Sequence, residues 1–176
     1  GKYAFEGCSL LEKISLPSSL TKIEVGVFKE CSSLEEISIP SSVTLIEDSA
    51  FKNCSSLKQV LIPSSVIEIG SDAFNNCTSL IKISLSESLK IIKSSAFKDC
   101  SSLKQISIPS SLIKIESSTF SGCSSLTEIQ IHSQVTEIDY NAFSECSSLV
   151  NVSIPSSVVK IGSSIFWKCS SLTHIS

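Results

Sequence analysis

Every cysteine and every phenylalanine in this chain obeys one period. The eight Cys fall at positions 8, 31, 54, 77, 100, 123, 146 and 169, and the eight Phe at 5, 28, 51, 74, 97, 120, 143 and 166, each 23 residues after the last. Leu11, Leu34, Leu57, Leu80, Leu103, Leu126, Leu149 and Leu172 keep the same step, as do Ile23, Ile46, Ile69, Ile92, Ile115, Ile138 and Ile161. A spacing that never drifts predicts identical coils stacked so that equivalent side chains form columns, a repeat solenoid. The unit reads A-F-x-x-C-S-S-L-x-x-I-x-I-P-S-S-V-x-x-I and then three variable residues; dividing 176 by 23 gives about 7.65 units over residues 1–176, without insertion or deletion. We expect one array, cut from a longer one, because neither end shows a capping sequence: Phe5 begins the pattern at once and Ser176 stops just before a Pro slot.

Within a unit, Val60 and Ile62, with Ile14/Leu16, Ile37/Ile39, Ile83/Leu85, Ile106/Ile108, Ile129/Ile131 and Val152/Ile154, alternate with an exposed residue. That is the period of a half-buried strand, here a short parallel one in each coil. Pro17, Pro40, Pro63, Pro109 and Pro155 follow it directly, where a missing N–H ends the ladder and a fixed φ starts a turn. Ser86 and His132 fill that slot in two coils. The Ser-Ser pairs are corner residues whose hydroxyls can bond nearby backbone. The β-branched run Val66–Ile69 and its equivalents predict a second short strand, and A-F-x-x-C a single helical or 3₁₀ turn. One coil cannot bury enough apolar surface to offset the ordering of its own backbone, so stability must come from its neighbours.

Composition narrows the partners. Hydrophobic residues make up 41% and charged ones 18%, apolar enough to bury a core. The formal net charge is −3 and all 14 basic residues are Lys, so the guanidinium forks suited to phosphates and base edges are absent and nucleic acid is not an expected partner. No run of about 18 apolar residues marks a membrane span. The sequence shows no signal peptide and opens without Met, so Gly1 is not expected to be the natural start.

The strand motif Leu57-x-x-Val60-x-Ile62, recurring in every unit, matches the L-x-x-L-x-L strand of leucine-rich repeats, without the usual Asn in the next turn. The fuller pattern C-x-x-L-x-x-I-x-I-P-x-x-V-x-x-I-x-x-x-A-F at 23 residues resembles the BspA-like leucine-rich repeat family, the Treponema-type repeat, over essentially the whole chain. The resemblance implies a β-rich right-handed superhelix of short parallel strands. It also implies the associations of that family: cell surfaces, adhesion and protein binding, with a host or cell-surface component as partner. The Gly that often follows the last Ile of the unit is present only as Gly70 and Gly162.

The Cys column invites disulfide, metal and reactive-thiol readings. Stacked equivalents about 4.8 Å apart and pointing one way do not suit a disulfide torsion. A straight ladder without C-x-x-C does not converge on one ion, so no metal or other cofactor is expected. Buried, reduced core thiols are the expected state; they fit a cytosolic protein as well as a surface-exposed or extracellular one. His132 and His174 stand beside no repeated nucleophile or carboxylate, and neither a nucleophile elbow nor a phosphate loop occurs, so we expect no enzyme.

What remains is the outward side of the first strand. One column runs Ser15, Ser38, Leu61, Ser84, Ser107, Gln130, Ser153; the column before it runs Lys13, Glu36, Gln59, Lys82, Gln105, Glu128, Asn151. Both a recognition surface and an ordinary solvated face fit this variation. If the face binds, the candidate ligand residues are Lys13, Glu36, Gln59, Leu61, Lys82, Gln105, Glu128, Gln130 and Asn151. Its small hydroxyls, without aromatics, argue against a deep pocket or a stacking platform. Leu45, Leu61, Ile81, Ile91 and Val150 are expected to be exposed aliphatics, and Asn53, Asn76 and Asn151 stand in N-x-S/T sequons. A structural alternative also follows, in which uncapped ends stack into a homo-assembly.

Overall fold

The computed structural model describes residues 1–176 and places each coil over the last. Coils are numbered here from the residue before each Phe, so coil 1 starts at Ala4, coil 4 at Ala73 and coil 5 at Ala96. Each coil has three flanks. The first carries strands Lys13–Ile14, Glu36–Ile37, Gln59–Leu61 and Lys82–Ser84 as one parallel sheet, and Glu128–Gln130, Asn151–Ser153 and His174–Ile175 as another. The second carries Lys22–Ile23, Leu45–Ile46, Glu68–Ile69 and Ile91–Ile92, then Lys114–Ile115, Glu137–Ile138 and Lys160–Ile161. Pairing joins residues one repeat apart, as in Lys13 with Glu36, Val60 with Ile83 and Glu137 with Lys160. Both expected strands of the unit are therefore present, the second shorter than its β-branched run.

The third flank departs from expectation. No helix forms at A-F-x-x-C; the segment is a chain of tight turns. Where coil 2 passes into coil 3, Ala50 N–H bonds to Glu47 C=O at 3.3 Å and Cys54 N–H to Phe51 C=O at 3.1 Å, closing turns whose third residues, Ser49 and Asn53, have φ of 56° and 63°. Positive φ at that position belongs to a type II turn. The residues between donate outward instead: Ser49, Phe51 and Asn53 N–H reach Ser71, Ala73 and Asn75 C=O of the next coil at 2.7–2.8 Å. A helix would spend every amide within its own coil; alternation leaves half of them for stacking. Because Ala73 C=O and Phe74 N–H share one peptide group, these bonds link into three unbroken amide chains, with every N–H directed toward the later coil, from Tyr3, Phe5 and Gly7 to Ser163, Ile165 and Trp167.

The same columns fill the interior. The Phe rings stack along the array with centroids 5.1–5.8 Å apart and planes within 15°. Such spacing is that of offset parallel rings. Each thiol from Cys31 to Cys169 donates to the Phe carbonyl of the preceding coil, at 3.0–3.2 Å. Cysteine thus brings an apolar side chain with a donor at its tip, to a carbonyl that water cannot reach. At the corner, Ser42, Ser65 and Ser157 hydroxyls donate to carbonyls of the previous coil. After each Cys, Ser55 donates to Ser32 C=O and Thr78 to Ser55 C=O in a further ladder. The corner turn itself does not need proline: Leu89 N–H bonds to Ser86 C=O and Val135 N–H to His132 C=O as Val66 N–H does to Pro63 C=O. Gly70 is required for a different reason, since a Cβ there would lie 2.5 Å from the Asp48 backbone nitrogen of the coil beneath.

One junction is stitched differently. Between coils 4 and 5 both sheets break, and the Gln105–Ser107 segment, read as a strand from Ile106 and Ile108, makes only isolated bridges, Lys82 with Gln105 and Ser107 with Gln130. Ile113 N–H has no bond to Lys90 C=O, although Lys90 N–H bonds to Ile67 C=O and Thr136 N–H to Ile113 C=O. Glu116 N–H lacks the bond to Ile92 C=O that Lys93 makes to Ile69 and Asp139 to Ile115, and Lys104 N–H stretches to 3.5 Å from Ile81 C=O. Side chains bridge the gap. The Glu87 carboxylate accepts the Ser110 N–H at 2.8 Å and hydroxyl at 2.7 Å, which holds its carboxyl below the usual carboxylate range, and Ser94 Oγ donates to Glu116 at 3.0 Å. Coil 4 has Leu85-Ser86-Glu87 where the unit has Ile-Pro-Ser. Loss of proline alone does not part the sheets, because coil 6 has His132 in that slot and remains paired with coil 7.

Candidate binding face

The first flank brings all nine candidate residues to the surface, and the two columns run as the repeat dictates. Buried partners beneath, such as Val60, Ile83 and Ile129, fix the strands so that the intervening side chains project outward. Two open hollows lie on this face, one of about 630 Å³ and one of about 1040 Å³. Lys13, Glu36, Gln59, Leu61 and Lys82 line the first, and Lys82, Gln105, Glu128 and Gln130 the second. Asn151 is exposed but lines neither. The hollows share Lys82 and Ser84, so they form one trough.

Charge is unevenly committed along it. Lys13 Nζ pairs with Glu36 at 2.8 Å, which raises the lysine and lowers the carboxyl, in each case chiefly through that hydrogen bond. Lys58 pairs with Glu35 at 2.9 Å, and Gln105 Nε2 donates to Glu128 at 3.4 Å. Lys82 and Lys104 have no ion-pair partner. Lys104 is not among the sequence candidates because it precedes the alternating strand positions; its column, with Glu12, Glu35, Lys58 and Ile81, shows charge varying from coil to coil but not which charge is left free.

Among the expected exposed aliphatics, Leu61, Ile81, Ile91 and Val150 are exposed, whereas Leu45 is half-buried on the second flank. Leu85 is a reverse case: it is half-buried, while Ile39, Ile62, Ile108 and Ile131 of its column are fully buried. Asn53 and Asn76 lie on the third flank at positive φ, joined by an Asn76 Nδ2 to Asn53 Oδ1 bond of 3.1 Å, and Asn151 lies on the strand face.

The thiols follow the core expectation except at Cys8, which is exposed. Its thiol makes no bond to a Phe carbonyl of a preceding coil as its seven equivalents do, and Phe5 beside it is also open. Burial pushes Cys31 up to about 11 and Cys146 up to about 12 from the usual thiol value, so neither offers a thiolate at neutral pH. His132 is half-buried at its corner and His174 is exposed at a strand end. No helix is long and apolar enough to cross a membrane.

Comparison with known proteins agrees with this geometry. A family model described as BspA type leucine rich repeat region matches residues 1–106 and 90–176 in 6 copies. A leucine-rich repeat protein from Bacteroides ovatus is similar over 99% of this chain and 51% of its own, with 32% identity and a TM-score of 0.86. The leucine rich repeat protein of T. pallidum is similar over 98% of this chain and 70% of its own, at 30% identity and TM-score 0.77. A leucine rich cell surface protein from Faecalibacterium prausnitzii is similar over 98% and 61%, at 28% identity and TM-score 0.53. The chain thus spans about half the length of the Bacteroides protein. A search of curated sequences returns no match.

Proposed function

Since the chain belongs to the BspA-type leucine-rich repeat family, we propose that it is a non-catalytic protein-binding scaffold, a stretch of a longer surface-exposed array that presents its first flank to another protein. The observation that carries this reading is the trough itself. It is an open surface on stacked parallel strands, crossing the coil 4/5 junction where pairing thins to isolated bridges, and it is lined by side chains that differ from coil to coil over an interior that does not. Such division of labour suits recognition, because the variable residues can change without disturbing the columns that hold them. Surface exposure is supported by the similarity to a leucine rich cell surface protein of Faecalibacterium prausnitzii, and an adhesive role is the further step that the family resemblance suggests. The candidate contact residues remain Lys13, Glu36, Gln59, Leu61, Lys82, Gln105, Glu128, Gln130 and Asn151.

The test pairs Leu61→Glu with Gln130→Ala, both exposed, and compares proteins captured by variant and wild type, with circular dichroism to verify folding. Loss of capture by a folded variant is the expected result. Unchanged capture removes the first flank as the binding face.

A further inference from the structure

Four independent features of the first flank meet at coils 3 to 5. The larger hollow spans the 4/5 junction. Lys82 and Lys104 line it together, and neither has an ion-pair partner, in contrast to Lys13 and Lys58 on the same flank. Three aliphatic side chains line the same hollows: Leu61, 70% exposed, shares the smaller one with Lys82, while Ile81, 50% exposed, and Leu85, turned partly out of a column that is otherwise buried in the interior coils, share the larger one with both lysines. The junction beneath is the one where the sheets lose main-chain pairing.

Exposed aliphatic side chains beside uncommitted charges are what a partner desolvates at an interface centre. From this convergence we infer that coils 3 to 5 form the seat for an extended acidic segment of a partner protein, its carboxylates over Lys82 and Lys104 and its leucine-type side chains against Leu61, Ile81 and Leu85. This deepens the reading of the first flank as the binding face and rests on it. The charge pattern also limits the partner. Glu128 lines the same hollow and the whole chain is net −3, so a long polyanion is repelled where one or two carboxylates are not. Apolar anchoring is then needed for affinity, which a protein segment supplies and a sulfated polysaccharide does not.

The test uses the intact chain, isotope-labelled for amide NMR, and four probes: an octapeptide of alternating Glu and Leu, its Gln-Leu and Lys-Leu counterparts, and dextran sulfate. The Glu-Leu peptide is expected to shift amides at Leu61, Lys82 to Leu85 and Lys104 to Ser107, and to bind at least about tenfold tighter than the Gln-Leu peptide, with affinity falling as salt rises. The doubly reversed variant Lys82→Glu, Lys104→Glu is expected to lose about tenfold for Glu-Leu and to gain for Lys-Leu. Equal binding of the Gln-Leu peptide, shifts confined to other coils, or tighter binding of dextran sulfate than of Glu-Leu overturns the assignment. Failure here with capture still sensitive to Leu61→Glu and Gln130→Ala leaves the binding face standing and removes only its acidic ligand. Insensitive capture removes the face.

Discussion

At the junction of coils 4 and 5, the third flank and the two strand flanks behave oppositely. On the third flank Phe74 N–H still reaches Ala96 C=O, Asn76 reaches Lys98 and Ser95 reaches Ser117, at 2.8–2.9 Å, and the Cys100 thiol still donates to Phe74. On the strand flanks the corresponding amides of Ile113 and Glu116 are unpaired with coil 4, and carboxylates do the bridging. The lesson is that the array is held by its invariant columns. Where a flank is lined by variable residues, a single departing corner is enough to part the sheet, and the stack tolerates this because Phe and Cys stay in register beneath it.

The largest effect should come from breaking the favoured flank. Phe74→Ala removes a fully buried ring stacked on both sides and should cost about 3–5 kcal/mol in chemical denaturation. A cost under about 1 kcal/mol would mean that the third flank is not the spine. Alkaline pH attacks the same column through its thiols. Unfolded thiols ionise near 9.0, whereas burial raises Cys77, Cys100 and Cys123 well above that. Above pH 9 the unfolded chain therefore binds fewer protons than the folded one, and stability falls, by about 1.4 kcal/mol per pH unit for each fully buried thiol. Melting temperature should be level from pH 7 to 8.5 and then drop steeply; a flat profile to pH 11 contradicts thiol burial.

Repairing the weak flank should give a smaller gain. Rewriting Leu85-Ser86-Glu87 as Ile-Pro-Ser should slow hydrogen exchange at Ile113 and Glu116 and add about 0.5–1 kcal/mol, since Ser86 N–H makes no backbone bond that proline would remove. If exchange at those amides is already as slow as at Phe74 and Asn76, the contrast between flanks fails. The smallest effect is a count. Mild alkylation of the folded 176-residue chain should modify Cys8 alone, with the seven buried thiols reacting only after denaturation.

The columns, both strands and the corner turns were legible because burial forces the same residue into every coil. The third flank was not. Its first left-handed row holds Tyr3, Gly26, Ser49, Asp72, Ser95, Ser118, Asn141 and Ser164, and its second Gly7, Glu30, Asn53, Asn76, Asp99, Gly122, Glu145 and Lys168. Gly, Asn and Asp dominate the second, as positive φ favours, but Glu and Lys within it hid the signal behind what looked like one helical turn. The thiol donors were hidden too, because burial and a short apolar side chain account for Cys without any acceptor. For the candidate face, alternation alone placed both columns outside. Which charges are left free depends on cross-coil pairing, and Lys104 could be found only once Lys58 was seen to be held by Glu35 and Lys104 by nothing.

The three amide chains of the third flank give the stack a direction. A surface cut across it shows only donors on one side of the cut and only acceptors on the other, three of each in a row. Two such flanks can therefore dock head to tail as one coil docks on the next, but head to head they would press acceptor on acceptor. Any joining of copies along this axis would be vectorial, like the coupling of magnets laid end to end.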